Sequence, residues 1–131
     1  MSKYVIGPQV ALRLAREETT IRSEHQLLAP TLFRSQVLSL LYQSVRTGKL
    51  TKVEAERQLN YVRGLRIRLL GDRVLQGLAW KIADQLGWPD TLNAEYIALT
   101  QLQADAFITL NRELAATVKG LVTVAPFDAL A

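Results

Sequence analysis

Trp88-Pro-Asp-Thr-Leu-Asn93-Ala-Glu-Tyr-Ile-Ala-Leu-Thr100, followed closely by Ala106-Phe-Ile-Thr-Leu-Asn111-Arg-Glu-Leu-Ala115, spells a capped helix, a turn, a short buried strand and a second helix start. Asp90 or Thr91 serves as the cap of the first helix, which runs to about Leu102. Ala106–Leu110 is the apolar strand, and residues 111–118 form the next helix. Asn93 and Asn111 stand at the two helix starts, where an Asn is at home as a cap or first-turn residue.

Working outward, the same alternation of strand and helix runs through the chain. Residues 3–6 read as a first strand, ended by Gly7-Pro8, and Pro8 opens a helix over 8–17, where its missing N–H costs nothing. Residues 19–26 are polar and read as loop or short helix, with His25 at the surface. Leu27-Leu28-Ala29 reads as a second strand, with Pro30 opening a largely buried helix from Leu32 to Val45. Thr51-Lys-Val-Glu54 is a capping-box pattern ahead of a helix over 52–63. Leu65–Leu70 alternates as a strand with a basic edge, Asp72 caps a helix over 73–86, and Gly87 stops it. Leu121–Val124 reads as a last strand.

Strands alternating with helices argue for a mostly parallel sheet covered by helices on both faces. In such sheets ligands bind beyond the carboxyl ends of the strands. Gly7 and Asn111 follow two strands at that edge, and the helix positions Gln36 and Asn93 are expected to face it.

Composition narrows the chemistry. The chain has 131 residues, enough for one domain over 1–131, with no internal repeat or linker. It has no Cys and a single His, which excludes disulfides, thiolate metal sites and multi-histidine sites, and it suits a cytoplasmic protein. No apolar run of about 18 residues is present, so no membrane span is expected, and the N-terminal apolar stretch is too short for a secretory signal. A net charge of +4 favours an anionic partner such as nucleic acid.

With its elements placed, the sequence resembles a PIN domain of the VapC toxin type. The resemblance spans essentially the whole chain. It rests on Tyr4-Val-Ile with Val10-Ala-Leu, on Leu28-Ala-Pro with Arg34 and Val37-Leu, on Leu86-Gly-Trp-Pro-Asp-Thr with Ala94-Glu-Tyr, and on Phe107-Ile-Thr-Leu with Ala115. It implies a PIN-like three-layer α/β/α sandwich and a Mg2+- or Mn2+-dependent endoribonuclease. It also implies a homodimer inhibited by a VapB-like antitoxin of a toxin–antitoxin system. In the family three or four carboxylates hold the metal, which prefers hard oxygen ligands and activates water.

Carried over position by position, those carboxylates fall at Gly7, Gln36, Asn93 and Asn111, and none is acidic here; the first register position has neutral Gln9 as its alternative. An amide brings no net charge to a cation and cannot act as a general base near neutral pH. The resemblance with this departure implies an impaired or inactive copy, with metal weak or absent, that acts through RNA or antitoxin binding. The alternatives are an active ribonuclease that recruits Asp90 or Glu95 as metal ligands, and an engineered inactive variant of an active one. Asp90 otherwise reads as a cap and Glu95 as part of a solvated helix face. Four restored acids would bring the acidic count of 12 level with the 16 basic residues, so the basic balance is partly a by-product of the loss. Arg34, Arg63, Arg66, Arg68 and Arg73 are the candidates for a shared RNA-binding patch, since the guanidinium forks onto phosphate. Trp88 and Tyr96 read as core or interface aromatics.

Overall fold

Four short apolar segments line up side by side as parallel strands in the computed structural model, which describes residues 2–131. They are β1 (Ser2–Ile6), β2 (His25–Pro30), β3 (Ile67–Leu70) and β4 (Ala106–Ile108), in the order β3-β2-β1-β4. β1 is central: Tyr4 pairs with Leu27 on one side and with Ala106 on the other. Six α-helices lie among the described residues: α1 (Pro8–Glu17), α2 (Phe33–Arg46), α3 (Lys52–Gly64), α4 (Arg73–Leu86), α5 (Leu92–Gln103) and α6 (Arg112–Val118). This is the expected three-layer α/β/α arrangement.

Burial explains why the sheet is parallel and covered twice. Successive strand residues point to opposite faces, yet neighbours Val5 and Ile6 are both fully buried, as are Leu27, Leu28 and Ala29. Both faces therefore carry helices, as an all-parallel sheet requires. α5 packs on β1, β2 and β4 with α4 against it, while α1, α2 and α3 pack on one another. Asp105 locks the start of this layer order, its Oδ2 accepting from the Lys3 amide at 2.7 Å.

Several expectations needed correction. Pro30 is the last residue of β2, not a helix opener, and α2 starts at Phe33. α2 is buried along one stripe only, Phe33, Val37 and Leu41, whereas Leu38 and Tyr42 are exposed. Its apolar residues surround the helix, but only one side meets the core. β3 begins at Ile67 rather than Leu65, and β4 has three residues rather than five. The last strand is reduced to a single bridge between Phe107 and Val124, followed by a 3-10 turn at Phe127–Leu130 that the hydrophobic pattern did not reveal. His25 is the first residue of β2, half-buried with its ring edge-on to Tyr4 at 5.2 Å, rather than a surface residue.

Most local signals are realised in atomic detail. The Thr51–Glu54 capping box is present in both directions, with bonds of 3.1 and 3.0 Å. Asp72 caps α4 by accepting from the Leu75 amide at 2.9 Å. Gly87 ends α4 with φ +67, a left-handed conformation that glycine takes without strain.

Candidate functional site

All four strands run in one direction, so their carboxyl ends share one edge. β1 connects onward to β2 on one side, while β4 lies on its other side. The chain connections therefore diverge between β1 and β4, which is where open α/β sheets leave a crevice. A cleft of about 660 Å3 opens there, and Gly7, Gln9, Asn93 and Asn111 all line it. Ser44, Thr109 and Arg16 complete its polar wall.

Each side chain is delivered by a local rule. Gly7 is the N-cap of α1 with φ −88, so its backbone does not demand glycine. A Cβ at Gly7 would meet only Gln9 Oε1, at 3.9 Å, an ordinary contact that leaves room for a larger residue. Asn111 caps α6, its Oδ1 accepting from the Leu114 amide at 3.0 Å, while its own amide donates to Thr109 Oγ1 at 3.2 Å. Asn93 is the second residue of α5, in the first turn and exposed to the cleft. Asp90, just ahead of that helix, accepts from the Leu92 amide at 3.1 Å.

Gln36 is not part of the cleft wall. It lies one turn before Leu40 on α2, and Leu40 and Ser44 supply that wall instead. The Gln36 Oε1 accepts from the Tyr96 hydroxyl at 2.5 Å, which ties α2 to α5. Burial, and then the neighbouring Glu95 charge, push the Tyr96 hydroxyl well above its usual range. Burial likewise raises the Glu95 carboxyl, which is half-buried rather than part of a solvated face.

The five arginines do not converge. Arg34 and Arg63 flank an apolar groove of about 230 Å3 walled by α2, α3 and β3. Arg66 and Arg68 line a separate depression beside β2, where their charges guard the open edge of β3. Arg73 is exposed at the start of α4 and lines neither. The cationic residue that does reach the cleft is Arg16, which the sequence reading passed over. Its signal was there: Gln9, Leu12 and Arg16 follow i, i+3, i+7 spacing on one side of α1, and all three line the cleft.

The donor set decides what the cleft can hold. Mg2+ and Mn2+ sites draw on carboxylates, which supply hard oxygens and negative charge. Here the wall offers amide and hydroxyl oxygens and one guanidinium, and no acid. Among the described residues no group of three or more His, Cys, Asp or Glu is arranged to hold a metal ion. The residues present therefore do not fit such a metal, whereas a guanidinium among hydrogen-bond donors suits an oxyanion.

No protein-family model matches the chain, and no curated protein matches it. Solved structures do. PAE2754 from Pyrobaculum aerophilum superposes with a TM-score of 0.74 at 21% identity, covering 98% of this chain and 91% of that one. VapBC-1 from nontypeable Haemophilus influenzae gives 0.62 at 11% identity, covering 96% and 98%. VapBC2 from Rickettsia felis, solved bound to a DNA fragment from its promoter, gives 0.59 at 13% identity, covering 95% and 98%. At these identities the likeness is one of fold, and it extends over nearly the full length of each chain.

Proposed function

We propose that this chain is a PIN-like protein of VapC-toxin descent that binds RNA in its cleft without cleaving it. The observation that carries this reading is the inverted charge of the cleft. Arg16 is the sole charged side chain on a wall otherwise made of Gln9, Ser44, Asn93, Thr109, Asn111 and apolar residues. A phosphodiester brings oxyanions that a guanidinium and amide N–H groups satisfy, and the site has no carboxylate to repel it. The same set lacks a general base, so no hydroxyl or water is activated for attack.

The test is binding of a labelled single-stranded RNA, followed by fluorescence anisotropy in EDTA and again in Mg2+ or Mn2+. The expected outcome is salt-dependent binding, equal with and without metal, with the RNA intact. Arg16→Glu should weaken it by at least about tenfold, since a favourable charge becomes a repulsive one. Metal-dependent RNA turnover, or binding indifferent to Arg16→Glu, overturns the reading.

One observation favours a second reading, engagement of an antitoxin. The groove flanked by Arg34 and Arg63 is apolar, and Leu38 at its rim is 57% exposed. It suits an amphipathic segment with acidic flanks. Two of the solved structures of this fold are named as VapBC complexes. Leu38→Asp should abolish calorimetric binding of a VapB-type protein that the wild type binds, while leaving RNA binding intact.

A further inference from the structure

The amino-terminal edge of the sheet, opposite the cleft, carries a histidine that the fold does not explain. His25 is the chain's only histidine and the first residue of β2. Its ring stands edge-on to Tyr4, and both ring nitrogens are buried with no hydrogen-bond partner within the chain. They are the only buried side-chain polar atoms left so among the described residues. An unpaired buried polar atom is costly, so this one calls for a partner from outside the chain. His25 also lines two adjoining depressions of about 470 and 430 Å3, which have Leu65 and Arg66 in common. Their size suits a small molecule. Arg68 lines the first depression and Arg22 the second. Arg66 and Arg68 are exposed and have no ion-pair partner among the described residues. The sole acid on either wall is Glu24, which is paired with Arg22.

We infer that this edge binds a small phosphate monoester that also carries a hydroxyl, such as a sugar phosphate. The donors and acceptors select that class. Arg66 and Arg68 supply planar, permanently charged forks that match phosphate oxygens. A neutral imidazole offers one N–H donor and one acceptor nitrogen, so a phosphate oxygen satisfies one side of His25 and a ligand hydroxyl the other. Leu27 pairs with Ile67 and Leu28 with Arg68 across β2 and β3. Strand alternation therefore sets His25 on the sheet face of Ile67 and both arginines on the other face. β3 is an edge strand, so the two faces meet around its open side, and the ligand is gripped there from both. Arg22, Ser23 and Glu24 are exposed, immediately precede His25 and wall the same depressions; this rim is the part that yields to admit the ligand to the nitrogens. The inference is independent of what the cleft binds, since the cleft lies at the opposite edge of the sheet.

NMR of the isotope-labelled full chain tests it, following the ring C–H signals of His25 at constant pH and ionic strength. A single histidine makes their assignment unambiguous. Titration with ribose 5-phosphate or with glycerol 3-phosphate should shift these signals saturably, and ribose should not. Arg66→Glu and Arg68→Glu should each weaken the binding by at least about tenfold. Arg73→Glu changes the net charge equally but lines neither depression, and should leave the binding unchanged. His25→Phe keeps an aromatic ring against Tyr4 and removes both nitrogens. With its fold confirmed by thermal melt, it should bind at least about tenfold more weakly by calorimetry. Ring signals unmoved by either phosphate, ribose acting as well as its phosphate, Arg73→Glu weakening binding as much as Arg66→Glu, or His25→Phe binding like the wild type overturns the inference.

Discussion

Asn111 shows how a carboxylate position can change its chemistry without disturbing its helix. Its Oδ1 caps α6, a task that an Asp oxygen performs equally well. Asn111→Ala should cost about 1 kcal/mol in denaturant unfolding, and Asn111→Asp should keep the cap. The pairing of Gln36 with Tyr96 is similar, because Glu at 36 would still accept from the hydroxyl. Tyr96 also makes a pH prediction. Its hydroxyl is raised above its ordinary value of 10.0, first by burial and then by Glu95. The unfolded chain therefore loses this proton first, and stability is full below pH 10 and falls as pH rises beyond it. Tyr96→Phe should flatten that alkaline loss, read from melts between neutral pH and pH 11, although Tyr61, raised by burial as well, keeps part of it.

At the scale of elements, the caps and stripes do the positioning. α4 carries its buried stripe into α5 from a start set by Asp72, and Asp72→Ala should cost about 1 kcal/mol by urea unfolding. The capping box of α3 has a pH signature of opposite sign. The Thr51 amide and hydroxyl hold the Glu54 carboxyl below its ordinary value of 4.5. Its contribution is present above that value and is lost as pH falls through the lower folded value. Thr51→Ala should lower the melting temperature near neutral pH and weaken this acid-side dependence, while Glu54→Gln should remove it, because the backbone amide at position 51 still donates to Glu54 in the alanine variant.

For the whole molecule, the cleft and the core make separate demands. Restoring the acids with Gly7→Asp, Gln36→Glu, Asn93→Asp and Asn111→Asp brings like charges to one edge of the sheet. The revertant should melt below the wild type in EDTA, because close carboxylates repel without a cation, and Mg2+ should recover it. The wild type should melt at the same temperature in both solutions. Identical behaviour of the two proteins would show that these positions do not form a common electrostatic site. The core has no such latitude: Leu28 on β2 and Ile97 on α5 are both fully buried, and either one replaced by Ala should cost about 2–5 kcal/mol.

The sequence by itself determined the alternation of strands and helices, the Thr51, Asp72 and Gly87 boundaries, and the absence of acids at positions 7, 36, 93 and 111. These are properties of residue type, spacing and backbone preference, which act locally. Only the tertiary structure decided which of those positions share a space. Gly7, Asn93 and Asn111 meet because parallel strands end on one edge and the connections diverge beside β1, whereas Gln36 is drawn to Tyr96 one turn away. It also decided that α2 buries one stripe and not its whole circumference, that the arginines are scattered, and that Arg16 is the charge facing the cleft. Helical periodicity states which residues share a side of a helix, but which side meets the core, the cleft or water depends on neighbours far away in sequence.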